Sequence, residues 1–101
     1  MNLIGLHNIG STVPSGYSLL QNYPNPFNPV TTIRFSLPAS GFTELKIYDV
    51  LGREAAVLVN EQLNAGEYKF TFNAMDLSSG IYFYRLESEK FSETKKMILV
   101  K

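Results

Sequence analysis

The sequence predicts an all-β fold, an antiparallel β-sandwich of about seven strands. Three observations predict it. Short runs alternate apolar and polar residues with a period of two. Turns rich in Gly and Pro separate them at regular spacing. No stretch carries the apolar period of an amphipathic helix. A chain of 101 residues fits one domain, and at this size it buries roughly two-thirds of its unfolded surface, enough for a core without staples. With no Cys, a disulfide frame and a thiolate metal site are both excluded.

Taken in order, residues 1–16 mix small apolar residues with Gly, Ser and Pro. They read as a linker or tail, favoured over a short strand at Leu3–Ile9. Tyr17–Gln21 is brief and partly apolar. In Asn22-Tyr23-Pro24-Asn25-Pro26-Phe27-Asn28-Pro29, three prolines fix φ and push the residues before them out of the helical region. Without three backbone N–H groups the stretch is no central strand. Its expected path is extended and turning, with Asn25 and Asn28 bonding their own turn and Tyr23 and Phe27 plugging one end of the core.

Thr31–Leu37 places Ile33, Phe35 and Leu37 on one face, and Phe42–Val50 does the same with Leu45 and Ile47. Pro38–Gly41 turns the chain between them. Tyr48–Arg53 is a hairpin signal in which Gly52 suits the left-handed position. Glu54–Val59 reads as the return strand. Glu67–Asn73 points Tyr68, Phe70 and Phe72 inward, a large core contribution. Ile81–Glu87 is apolar on both faces, which predicts a central strand covered on both sides. Phe91–Lys101 supplies the last strand. Asp76–Tyr82 has the layout of a tyrosine corner, in which the hydroxyl bonds backbone a few residues upstream. Tyr82→Phe is then expected to cost about 1–3 kcal/mol, read as a lower melting temperature.

Little here suggests catalysis. His7 is the one histidine and falls in the tail, so zinc clusters and Ser-His-Asp arrangements lack their parts. No carboxylate pair stands out for glycoside hydrolysis, and no Gly-rich phosphate loop is present. Asp49 and Asp76 read as turn-capping residues in preference to calcium ligands. The expectation is a non-enzyme without cofactor or metal. Nine basic and nine acidic side chains give a formal charge of zero, against a nucleic-acid face. The apolar run Met97–Val100 is far too short for a membrane helix. Met1–Gly16 contains no Lys or Arg, so it lacks the basic region of an export signal; the expectation is a piece of a longer chain. Lys95, Lys96 and Lys101 on the last strand read first as protection of a sheet edge. A docking strip for strand addition, or an edge-strand homodimer, is the alternative.

Several motifs together resemble a known family. They are Tyr17-Ser18-Leu19, Gln21 through Pro29 followed by Thr32-Ile33-Arg34-Phe35, Leu45-Lys46-Ile47-Tyr48-Asp49-Val50-Leu51-Gly52-Arg53, Ala65-Gly66-Glu67-Tyr68, Ser79-Gly80-Ile81-Tyr82-Phe83-Tyr84-Arg85-Leu86, and Lys95-Lys96-Met97-Ile98-Leu99-Val100-Lys101. In this order and spacing they resemble the C-terminal sorting domain of the type IX secretion system over residues 17–101. Pro24, Asn25, Pro26, Gly52, Gly80 and Tyr82 carry the family motifs. Ala55 departs from them, where a larger apolar residue is usual.

The resemblance implies an immunoglobulin-like sandwich at the end of proteins secreted by Bacteroidetes-type bacteria. It implies a non-catalytic tag recognised by an outer-membrane translocon and removed by a sortase-like signal peptidase, with the cut in or near residues 10–18. The cargo would pass through the periplasm and be released or attached at the cell surface. Lys95, Lys96, Met97, Ile98, Leu99, Val100 and Lys101 are the expected recognition strand. The middle motifs also resemble the immunoglobulin-like domain of the flagellar hook-capping protein. A structural or carbohydrate-binding module of a secreted protein is the remaining reading, and it requires exposed, coplanar aromatics.

Overall fold

The computed structural model describes residues 5–10 and 12–101. Eight strands build two four-stranded antiparallel sheets: β1 (Leu6–Gly10), β2 (Ser18–Leu19), β3 (Val30–Leu37), β4 (Gly41–Tyr48), β5 (Glu54–Leu63), β6 (Gly66–Asn73), β7 (Gly80–Ser88) and β8 (Phe91–Leu99). One sheet has the order β1-β6-β3-β2 and the other β5-β4-β7-β8. The chain changes sheet from β3 to β4, from β5 to β6 and from β6 to β7. Crossings of this kind make a Greek-key sandwich of the immunoglobulin type.

The alternating pattern sets the register. Ile33, Phe35 and Leu37 of β3, Leu45 and Ile47 of β4, and Tyr84 and Leu86 of β7 are all buried between the sheets. A slip by one residue would turn each of these rows to solvent. Phe35 sits opposite Tyr68 with its ring stacked at 5.3 Å. Phe70 is half-buried beside Gly5, where an added Cβ would come within 2.7 Å of the ring. Thr43 and Ser88, buried and opposite one another, satisfy each other through a 3.0 Å hydroxyl bond.

Three expectations need correction. The tail reading fails for Leu6–Gly10, which pairs with β6; the first residues of the Leu3–Ile9 strand reading lie outside the described residues. Leu6 is the buried side chain of that strand, and a single apolar anchor leaves little period to read. The β5 strand runs on to Leu63, four residues past Val59, because Asn60–Leu63 stays in regular register with Gly41–Glu44 of β4; the bulges lie earlier, beside Val57–Val59 and Glu54–Ala56, and blur the alternation there. Finally, β7 is central but covered on one side. On its outer face Ile81 is exposed and Phe83 and Arg85 are half-buried. Neighbouring strands do the covering there: Tyr48 and Lys96 flank Phe83, and the Arg85 guanidinium lies 4.8 Å from the centre of the Tyr48 ring and donates to its hydroxyl at 2.7 Å.

The β4–β5 hairpin is held by one carboxylate. Asp49 accepts from the backbone N–H groups of Leu51 and Arg53, both at 2.9 Å, and from the Arg53 side chain at 2.8 Å. Gly52 takes the left-handed conformation at φ 81°. The Arg53 backbone N–H, followed by the Arg53 side chain and the Leu51 N–H, lowers the Asp49 carboxyl below its ordinary value of 3.8. A depressed carboxylate contributes stability above that ordinary value and loses it as the pH falls through the folded value. Asp49→Asn should therefore unfold at lower urea than wild type at pH 7, with the two midpoints converging in acid as the carboxyl takes up its proton. A gap that persists unchanged in acid would show that charge is not what Asp49 contributes.

Candidate functional site

Gln21–Pro29 lies across the free edge of β8. Away from β7, β8 turns outward the backbone groups of Lys96, Ile98 and Val100. Gln21 donates its side-chain N–H to the Lys96 carbonyl at 2.7 Å, and the Asn25 side-chain oxygen accepts from the Ile98 N–H at 2.9 Å. Phe27 donates its backbone N–H to the Ile98 carbonyl at 3.0 Å and accepts from the Val100 N–H at 2.9 Å. Phe27 thus forms a parallel bridge with Leu99. Just before it, Tyr23 exchanges two backbone hydrogen bonds, both 3.0 Å, with Thr32 of β3. The segment is a strap that starts on one sheet and ends on the other. All three X–Pro bonds within it are cis.

The strap is anchored through buried polar groups that the sequence does not advertise. Tyr84, fully buried on β7, donates its hydroxyl to the Leu20 carbonyl at 2.7 Å and accepts from the Asn22 N–H at 2.8 Å. The Asn22 side chain, 2 % exposed, donates to Thr31 Oγ1 and to the Pro24 carbonyl, and accepts from Gln21. Thr31, also buried, donates to the same Pro24 carbonyl at 2.8 Å. Phe27 seals the end of the core at 2 % exposure, its ring tilted against Phe72.

Two readings of this stretch change as a result. Tyr23 does not plug the core: it is 81 % exposed. Its backbone is held to β3, and in a two-residue alternation that sends the ring outward. Asn25 bonds β8 and not its own turn, because β8 offers an unpaired N–H at the right distance.

The last-strand residues divide by face. Met97 and Leu99 are buried, at 0 % and 1 % exposure. Lys96, Val100 and Lys101 are exposed, and Lys95 and Ile98 are half-buried. Lys95 pairs with Glu93 at 3.4 Å, and the Lys101 ammonium reaches the Met75 carbonyl. Of the motif residues, Pro24, Asn25 and Pro26 are exposed on the strap and Gly52 shapes its hairpin. Gly80 opens β7, and Tyr82 donates to the Ser78 carbonyl at 2.7 Å, the bond of the tyrosine corner. Tyr68 donates to the Asn64 carbonyl at the same distance. The shared Gly-x-Tyr spacing of Gly66–Tyr68 and Gly80–Tyr82 is the signal that would have revealed this second corner.

Among the described residues no group of three or more His, Asp or Glu gathers as a metal site. Tyr68, Tyr82 and Tyr84 face the core, so they form no exposed aromatic platform of the kind a carbohydrate module needs. What the fold presents is a sandwich whose first and last motifs, some 70 positions apart, bond into one feature (Asn25 to Ile98 spans 73).

The model of the family described as the secretion system C-terminal sorting domain matches residues 21–101, from the start of the strap to the last residue of the chain. The chain belongs to this family, the type IX sorting domains that its motifs resemble. Membership gives it a role as a secretion signal in a protein that passes the outer membrane. Among solved structures it is similar to PorZ of Porphyromonas gingivalis, described as an essential bacterial surface component of the type-IX secretion system. The TM-score is 0.53 and the identity 24 %, over 91 % of this chain and 13 % of PorZ. That likeness is one of fold, and the chain spans a small part of the PorZ length. No curated protein matches it.

Proposed function

We propose that this domain is a non-catalytic sorting signal. It directs the protein attached upstream across the outer membrane through the type IX translocon and is then removed by a sortase-like signal peptidase. The cargo is released or attached at the cell surface. The observation that carries this reading is the family match over residues 21–101, which takes in the strap, both tyrosine corners and the whole of β8. The exposed stretch from Thr12 to Gly16, between β1 and β2, suits the proposed cut in or near residues 10–18: exposed connections with small residues are the preferred places for proteolysis.

The test is a fusion. Residues 1–101 are placed behind a periplasmically targeted reporter in a bacterium that carries the type IX system. The reporter should appear at the surface or in the medium, and should stay in the periplasm of a strain lacking the translocon. A folded fusion held in the periplasm of both strains would refute the reading.

A further inference from the structure

We propose that the edge of β6 covered by β1 is a strand-acceptor site. In the intact chain Leu6–Gly10 fills it. Once the chain is cut between β1 and β2 that strand leaves, and the edge is open to an extended peptide of the same pattern. The acceptor goes beyond the sorting reading; only the cut that empties it in the cell rests on that reading.

The first observation is how little holds β1. The strand has five residues, and a bulge between Asn8 and Gly10 interrupts its pairing with β6. Leu6 is its one buried side chain. On the outer face His7 lies opposite Lys69, which lies opposite Arg34. A row of basic side chains adds no cross-strand attraction, and among the described residues no ion pair ties β1 to β6. The covalent connection keeps the strand at high effective concentration beside its edge. A separated strand must also bear the loss of translational and rotational freedom on binding. One buried anchor and a short ladder do not meet that cost at micromolar concentration.

The second is where the chain divides. In the connection after β1, Thr12, Val13, Ser15 and Gly16 are exposed. The family match begins at residue 21, so β1 lies outside it and β3 to β8 lie within it. A body without β1 keeps the sheet β5-β4-β7-β8 whole and retains β6-β3-β2 of the other.

The third is what β1 covers and which peptides fit. β6 has eight residues and no Pro. Uncovered, it presents unpaired N–H and C=O groups, the template on which another extended chain adds. Leu6 lines a hollow of about 230 Å³ together with Leu63 and Tyr68, so a large aliphatic residue belongs at that position. The Gly5 carbonyl accepts from the Thr71 N–H at 2.6 Å. Gly5 has φ 96°, and a Cβ there would stand 2.7 Å from the Phe70 ring, so this position takes glycine. The ligand class is therefore an extended peptide with glycine followed by a large aliphatic residue.

The test uses the full chain with Thr12–Gly16 replaced by a protease-cleavable sequence and cut after purification. Gel filtration at micromolar concentration should separate the N-terminal piece from a body that keeps a cooperative melting transition. A labelled peptide of residues 1–10 is then titrated into the emptied body and followed by fluorescence anisotropy. Saturable binding is expected, weakened about tenfold or more in Leu6→Asp and Gly5→Val peptides. The uncut chain, whose own strand occupies the edge, should bind the peptide at least about tenfold more weakly. A cut protein that keeps its N-terminal piece through gel filtration would overturn the inference. So would an emptied body that does not fold, or a folded one that binds all three peptides alike or none. None of these measurements depends on export, so the reporter fusion tests the sorting reading separately.

Discussion

Deletion of Met97–Lys101 should leave a chain that does not fold. Met97 and Leu99 are buried at 0 % and 1 % exposure between the sheets. Loss of each such side chain costs about 2–5 kcal/mol. Together they approach the roughly 5–15 kcal/mol by which a whole domain is stable. The deletion also removes the Ile98 and Val100 backbone groups that hold Phe27 and Asn25. Each such bond is worth about 1 kcal/mol net, and without them the strap loses its seat on β8. Circular dichroism should show no cooperative thermal transition in the truncated protein. A sharp transition near the wild-type temperature would refute this account of the last strand. The expectation bears on secretion experiments, because loss of export on truncation follows from loss of the fold alone. Point changes at exposed Lys96, Val100 or Lys101 separate recognition from folding, and removal of the strand does not.

The second large effect is expected at Tyr84. Its hydroxyl is the one group that bonds both the Leu20 carbonyl and the Asn22 N–H, fixing the chain as it enters the strap. Tyr84→Phe removes one oxygen and leaves the buried Asn22 N–H and the partly buried Leu20 carbonyl without that partner. At about 1–3 kcal/mol each, the loss is about 2–6 kcal/mol, toward the lower end because the Leu20 carbonyl is partly exposed. For a domain of this size, each kcal/mol moves the melting temperature by about 4–8 °C. A fall of under about 3 °C would mean that water or a backbone shift replaces the hydroxyl.

The same residue sets an alkaline signature. Burial pushes the Tyr84 hydroxyl up to about 12, against the lowering effect of the Asn22 N–H and with a smaller push from the Glu93 carboxylate. The neutral form is the one that the fold accommodates. Its contribution is complete below the ordinary value of 10.0 and is lost as the pH rises through about 12. Urea midpoints of wild type and Tyr84→Phe should therefore approach one another between these values. Parallel curves throughout that range would exclude Tyr84 as the group responsible.

These two residues mark how much of the candidate site was legible. The last strand and its apolar end after Lys96 are legible, and the tyrosine corner at Tyr82 follows from its spacing to the turn before it. Which of Met97, Ile98, Leu99 and Val100 enter the core is not legible, because the four form an unbroken apolar run. Nor is the role of the Tyr84 hydroxyl. Its partners at Leu20 and Asn22 lie 64 and 62 positions away, and an isolated Asn before an aromatic residue has no distinguishing pattern. Tyr23 and Phe27 make the same point. Both read as core aromatics in a proline-rich turn, yet one is 81 % exposed and the other 2 %. Which one enters the core depends on the side of the sandwich that each backbone position is bonded to.

The sequence by itself determined the class of fold, the inward rows of β3, β4 and β6, the Asp49–Gly52 hairpin and the family. All of these rest on local regularities: a period of two, turn chemistry, and motifs with fixed spacing. Only the tertiary structure decided that Leu6–Gly10 joins the first sheet, that the outer face of β7 is only partly shielded by side chains of its neighbours, and that the Asn-Pro stretch is a strap on the final strand. Those features depend on which unpaired backbone groups the folded sheets leave exposed along their edges. Asn25 shows the reason. Its side chain is suited to cap its own turn, and it bonds the Ile98 N–H because folding brings that donor within 2.9 Å.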